Sequence, residues 1–160
     1  MIKLHLGKLA LSLLGPFLAA AVGSFFTFSA IPTWYQALQK PSLTPPNFVF
    51  GPAWTILYFL MGLAFYDVWV KRVGKSANWL GAVTFFLLQL LVNAFWTIIF
   101  FGMHDIGIGL VLLHILWFLI FLTIIAFWRI SKIAAILLLP YLAWVTYAAL
   151  LNGMILFLNR

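Results

Sequence analysis

Three stripes of aromatic and amide side chains carry the chemistry open to this chain. Gln89 and Asn93 lie one helical turn apart, with Trp96 three residues on, so a helical period places all three on one face. Pro140, Trp144 and Ala148 follow one another at i, i+4 and i+8, with Tyr141 beside them and Asn152 a further turn along. Trp54 and Tyr58 form a third stripe at i, i+4. Indoles offer stacking area and a few amides fix orientation, a combination that suits a flat, largely apolar ligand. The competing reading of Gln89 and Asn93 is helix–helix hydrogen bonding.

His114 precedes Trp117 by three residues. It could take heme iron axially or relay a proton. It has no carboxylate beside it to orient the ring, which favours a hydrogen-bonded packing role. Trp117 serves either pocket or packing. His5 and His104 sit near segment ends and read as solvated. There is no cysteine, and Asp67 and Asp105 are the only acidic residues, far apart in sequence. That leaves no cluster with metal-ligand spacing and no carboxylate pair for hydrolysis, so neither a metal nor a required cofactor is expected.

The elements holding these residues must live in lipid. Of 160 residues, 66% are hydrophobic and 7% charged, too apolar a surface for water. Five apolar stretches approach the roughly 20 residues of a bilayer crossing. They run Leu9–Ala30, Phe50–Val70, Trp79–Phe101, Ile106–Trp128 and Ile133–Phe157. The expectation is one all-α membrane domain over 1–160, a bundle of five transmembrane helices with a long Pro- and aromatic-rich loop between the first two. The basic start and first apolar stretch read as a retained helix, because the stretch is too long for a signal peptide.

The net charge of +7 does not point to nucleic acid, because the basic residues fall in short clusters between apolar runs. With five crossings, Lys3, Lys8, Lys71, Arg72, Lys75, Arg129 and Lys132 share one side, and Lys40 and Arg160 the other. That asymmetry predicts a cytoplasmic N-terminus, with the long first loop and the C-terminus opposite. Trp69, Trp79 and Trp128 then fall at the inner interface as an aromatic belt. The first loop carries Pro32, Pro41, Pro45 and Pro46 with Trp34, Tyr35 and Phe48, and Pro52 follows. It cannot be one continuous helix and reads as a stiffened lid over the stripes. Gly15, Ala19 and Gly23 form a small-residue stripe, for packing within the chain or for a dimer contact.

Longer patterns resemble a known family. Trp34-Tyr35-x-x-Leu38-x-Lys40-Pro41-x-x-x-Pro45-Pro46, then Phe50-Gly51-Pro52-x-Trp54-x-x-Leu57-Tyr58, is similar to the first-loop signature of the TspO/MBR family. Gln89-x-x-x-Asn93-x-x-Trp96 with Phe100-Phe101-Gly102 resembles its third-helix motif. Pro140-Tyr141-Leu142-Ala143-Trp144, with Ala148 and Leu151-Asn152, resembles its fifth. The resemblance implies a five-helix bundle, usually a homodimer, that binds porphyrins such as protoporphyrin IX and heme. Relatives also take synthetic aromatic ligands, and some take cholesterol.

Carried over by motif, the pocket positions are Trp34, Tyr35, Trp54, Asn93, Trp96, Trp144 and Ala148, to which the stripes add Tyr58 and Tyr141 and, more distantly, Gln89, His114 and Trp117. The resemblance also implies light- and oxygen-dependent porphyrin breakdown in some bacterial relatives, through tryptophans matching Trp54 and Trp144. Two departures stand out. Gly153 follows Asn152 where the sterol-recognition pattern has Tyr, and Leu112 stands where an acidic residue is frequent. Porphyrin binding, with or without transport, ranks first. Photo-oxidative degradation ranks second, ahead of lipid, sterol or other small-solute transport.

Overall fold

The computed structural model describes residues 5–71 and 77–160. Among these the secondary structure is entirely helical. A backbone in hydrocarbon has no water to bond, so a long apolar run satisfies its own amides as helix. α1 spans Leu6–Ala30 and passes into a π-turn at Ile31–Tyr35. α2 spans Asn47–Val70. α3 spans Ala77–Thr97 and ends in a second π-turn at Ile98–Gly102. α4 spans Ile106–Trp128, capped by Asp105, whose carboxylate accepts from the Ile108 amide at 2.8 Å. α5 (Lys132–Leu137) and α6 (Leu139–Leu158) together make the last span. Five spans are thus long and apolar enough to cross a bilayer, in an integral multi-pass membrane protein.

Two details depart from the sequence reading. The first connection was expected to leave the helix at Ile31, with room for a short separate turn of helix at Trp34–Leu38. Instead the helix continues to Tyr35, because the wider π-turn accommodates Pro32, which lacks an N–H and crowds the preceding turn. The last span, read as one helix with a bend open to it at Pro140, is instead interrupted at Leu138, and Pro140 falls in the first turn of α6, where a missing N–H costs nothing.

The spans close into a ring. α1 packs on α2 and α3, α3 on α4, α4 on α5 and α6, and α2 on α5. The end away from the first loop is dense. Phe65 and Phe86 stack at 4.6 Å, and Phe86 and Phe127 at 5.8 Å. Asp67 pairs with Lys71 at 2.9 Å and accepts from Ser131, tying α2 to the start of α5. Lys8, Lys71, Arg129 and Lys132 gather here, while Lys3, Arg72 and Lys75 lie outside the described residues. Lys8 sits 6.0 Å from the Trp69 ring and Lys132 5.6 Å from Trp128.

The small-residue stripe packs within the chain. A Cβ on Gly15 would meet Leu90 at 3.5 Å, and one on Gly23 would meet Thr97 at 3.5 Å, so α1 lies close on α3. A tighter approach joins α1 to α2. A Cβ on Gly62 would stand 3.1 Å from the Cα of Leu13 and closer still to its Cδ2. The first two helices therefore touch backbone to backbone in the half away from the loop.

Candidate functional site

Towards the loop end the same helices part around a cavity of about 400 Å3. α2 contributes Phe50, Trp54 and Tyr58 to its wall. α3 and its π-turn contribute Trp96, Phe100 and Phe101. α6 contributes Trp144, Tyr147, Ala148 and Asn152, and α1 contributes Gly23 and Thr27. Tyr35, in the π-turn that ends the first span, also lines it. The rings form a continuous aromatic surface. Trp54 stacks on Tyr58 at 5.5 Å and meets Trp96 at 6.0 Å, and Trp96 stacks on Phe100 at 5.8 Å. Phe50 reaches across to Trp144 at 6.4 Å.

The threonine hydroxyls in this wall are turned into their own helices. Thr27 donates to the Gly23 carbonyl at 2.9 Å, Thr55 to Gly51 at 2.9 Å and Thr97 to Asn93 at 3.1 Å. The rest of the wall is mostly carbon, so the cavity offers stacking area, with Ser24, Tyr35, Asn47 and Asn152 as its few polar side chains and no charged one among the described residues.

Behind the wall lies a buried polar triad. Tyr58 donates to Asn93 Oδ1 at 2.6 Å, and Asn93 Nδ2 donates to the Tyr141 hydroxyl at 3.0 Å. Asn93 is 0% exposed. The triad ties α2, α3 and α6 together and fixes Tyr58, the one member that lines the cavity.

The first loop is fastened rather than slack. Lys40 Nζ donates to the carbonyls of Tyr35, Gln36 and Leu38 at 2.7, 3.0 and 3.0 Å, meeting acceptors that a helix end leaves unpaired. Asn159, just past α6, accepts from the Gln39 amide at 3.0 Å and donates to the Gln39 carbonyl at 2.9 Å. Tyr147 donates to the Leu43 carbonyl at 2.5 Å. Asn159→Ala removes the paired bonds and should loosen the loop by about 1 kcal/mol. Faster amide exchange at Gln39, with α4 amides unchanged, is the expected readout.

Of the residues singled out in the sequence, Tyr35, Trp54, Tyr58, Trp96, Trp144 and Ala148 line the cavity. Six others lie outside its wall. Asn93 and Tyr141 are in the triad behind it. Trp34 turns away to stack on His104 at 4.5 Å, and His104 holds that place with a φ of 60°. Gln89 is buried between helices with no partner for its amide among the described residues. His114 is exposed on α4 rather than packed, its Nδ1 2.8 Å from the Leu110 carbonyl. Trp117 donates to Thr146 at 2.8 Å, joining α4 to α6.

Several wall residues escaped the stripes. Phe100 is one turn beyond Trp96, Tyr147 is three residues beyond Trp144, and Thr27 is one turn beyond Gly23, so helical spacing was the available signal.

The sequence has counterparts among known proteins. The profile of the TspO/MBR family matches residues 12–158. A tryptophan-rich protein TspO of Archaeoglobus fulgidus is 43% identical over 152 residues, covering 95% of this chain and 97% of its own. The human translocator protein is 39% identical over 139 residues, 87% of this chain and 82% of its own. A tryptophan-rich sensory protein of Cereibacter sphaeroides is 40% identical over 119 residues, 74% of this chain and 72% of its own. With a profile match across nearly its whole length and relatives this similar, the chain belongs to the TspO/MBR family.

Proposed function

We propose that this protein binds flat tetrapyrroles, protoporphyrin IX and heme, in the aromatic cavity, and acts as a membrane sensor or carrier for them. The observation that supports this most is the wall itself. Trp54, Trp96 and Trp144 with Tyr35, Tyr58 and Phe100 surround a space of about 400 Å3, within the size range of small-molecule sites. A planar conjugated ring gains stacking contacts there that an aliphatic lipid would not. The names of the relatives, sensory protein and translocator, fit a receptor or carrier.

In this reading Tyr35, Trp54, Tyr58, Trp96, Trp144 and Ala148 contact the ligand, while Asn93 and Tyr141 hold the wall. The charge asymmetry supports a cytoplasmic N-terminus and, with it, a cavity in the outer half of the bilayer. A homodimer completes the proposal, read by cross-linking in membranes.

Protoporphyrin IX should quench the intrinsic tryptophan fluorescence of the purified protein. Trp144→Ala should weaken its affinity about tenfold, roughly 1.4 kcal/mol. Trp128→Ala, at the far end of α4, should leave affinity unchanged. Quenching no greater than in empty detergent micelles would overturn the proposal.

A further inference from the structure

The cavity is closed on one side and open on another. The wall given by α3 and α6 is buried, as Trp96, Phe100, Leu151, Asn152 and Ile155 show. The wall given by α1 and α2 is not. Ser24 and Phe28 on α1, and Phe48, Gly51 and Thr55 on α2, line the cavity and are exposed at the same time, Phe28 by 86% and Phe48 by 78%. These residues sit one turn apart on each helix, so they mark a slot between the two helices. The slot begins where the close approach of Gly62 to Leu13 ends. Because both helices are membrane spans, it faces acyl chains rather than water.

The route from the aqueous side is obstructed by contrast. The first loop is bonded to Asn159 and Tyr147, and its lysine is occupied by three carbonyls. The wall also carries no Lys, Arg, His, Asp or Glu among the described residues. A carboxylate drawn into such a space would lose its hydration with no cation there to offset its charge.

We infer that the cavity selects uncharged planar polycycles already dissolved in the bilayer, which load sideways through the slot between α1 and α2. This rests on the tetrapyrrole reading and narrows it. An acidic porphyrin would bind with its carboxylates left outside, at the slot, and would gain nothing from them.

The chain has no cysteine, so a single introduced thiol can be labelled cleanly. Ser24→Cys places it at the slot, and Ser42→Cys places it on the exposed loop as a control. Each variant, in phosphatidylcholine vesicles, is reacted with N-phenylmaleimide, and tryptophan quenching is followed after mixing with protoporphyrin IX or its dimethyl ester. Labelling at Ser24 should slow loading about tenfold. Labelling at Ser42 should change it by less than about twofold. The ester should bind at least as tightly as the diacid. Equal rates before and after labelling at Ser24, or an ester bound about tenfold more weakly than the diacid, would overturn the inference. Quenching without the Ser24 effect defeats the sideways route alone. No quenching by either porphyrin defeats the tetrapyrrole reading and this one with it.

Discussion

Asn93→Leu should destabilise the folded bundle by about 3 kcal/mol. The side chain accepts from Tyr58 and donates to Tyr141, and all three residues are buried. Leucine fits the volume but strands two hydroxyls in an apolar interior. Each stranded group costs about 1–3 kcal/mol. Tyr58→Phe alone leaves Asn93 one partner and should cost nearer 1 kcal/mol. The decisive variant removes the whole network. Tyr58→Phe, Asn93→Leu and Tyr141→Phe together leave nothing unpaired, and stability should return to within about 1 kcal/mol of wild type. Denaturant unfolding in detergent reads all three. A single Asn93→Leu variant as stable as wild type would show that these bonds contribute little.

Gly62→Val should be as damaging, again about 3 kcal/mol, for an opposite reason. Nothing is left unpaired, but no room exists. The first added carbon would lie 3.1 Å from the Leu13 Cα, and a backbone atom cannot swing aside as a side-chain tip can. The two helices must separate over the half of the bundle where they touch. Trimming the neighbour helps only in part. Leu13→Ala clears away the crowding Cγ and Cδ2 but leaves the backbone of α1 where it was, so the double variant should recover less than half of the loss. Full recovery would place the clash in the leucine side chain alone.

The five spans were legible because a bilayer crossing needs a long apolar run, and no other explanation suits five of them in a row. Which face of each span looks inward was much less legible. In water a polar stripe marks the outer face, but in lipid both faces are apolar and periodicity falls silent. His114 shows the difficulty. It stood out as an ionisable residue inside a span and was expected to pack, yet it faces outward and bonds its own helix.

Asn93 was legible as a residue that needed a partner, but not which partners, since Tyr58 and Tyr141 lie on other helices. The tryptophans at 54, 96 and 144 line the cavity, as their stripes led one to expect. Trp34 does not: in the π-turn it lies behind Phe100, 5.4 Å away, and stacks on His104, while its neighbour Tyr35 takes the place in the wall. A π-turn is one additional residue in a helix and leaves almost no trace in composition. The small-residue stripe on α1 was equally ambiguous until α3 was seen against it.

The lysine that closes the first loop has a consequence for proteolysis. Lys40 is followed by Pro41, a bond that trypsin does not cut, and its ammonium is already held by three carbonyls. At the other end Lys71 follows α2, Arg129 follows α4 and Lys132 opens α5, all three exposed. Trypsin can therefore sever the spans from one face only. Added to sealed vesicles, it acts as a compass, fragmenting the chain in one orientation and leaving it intact in the other.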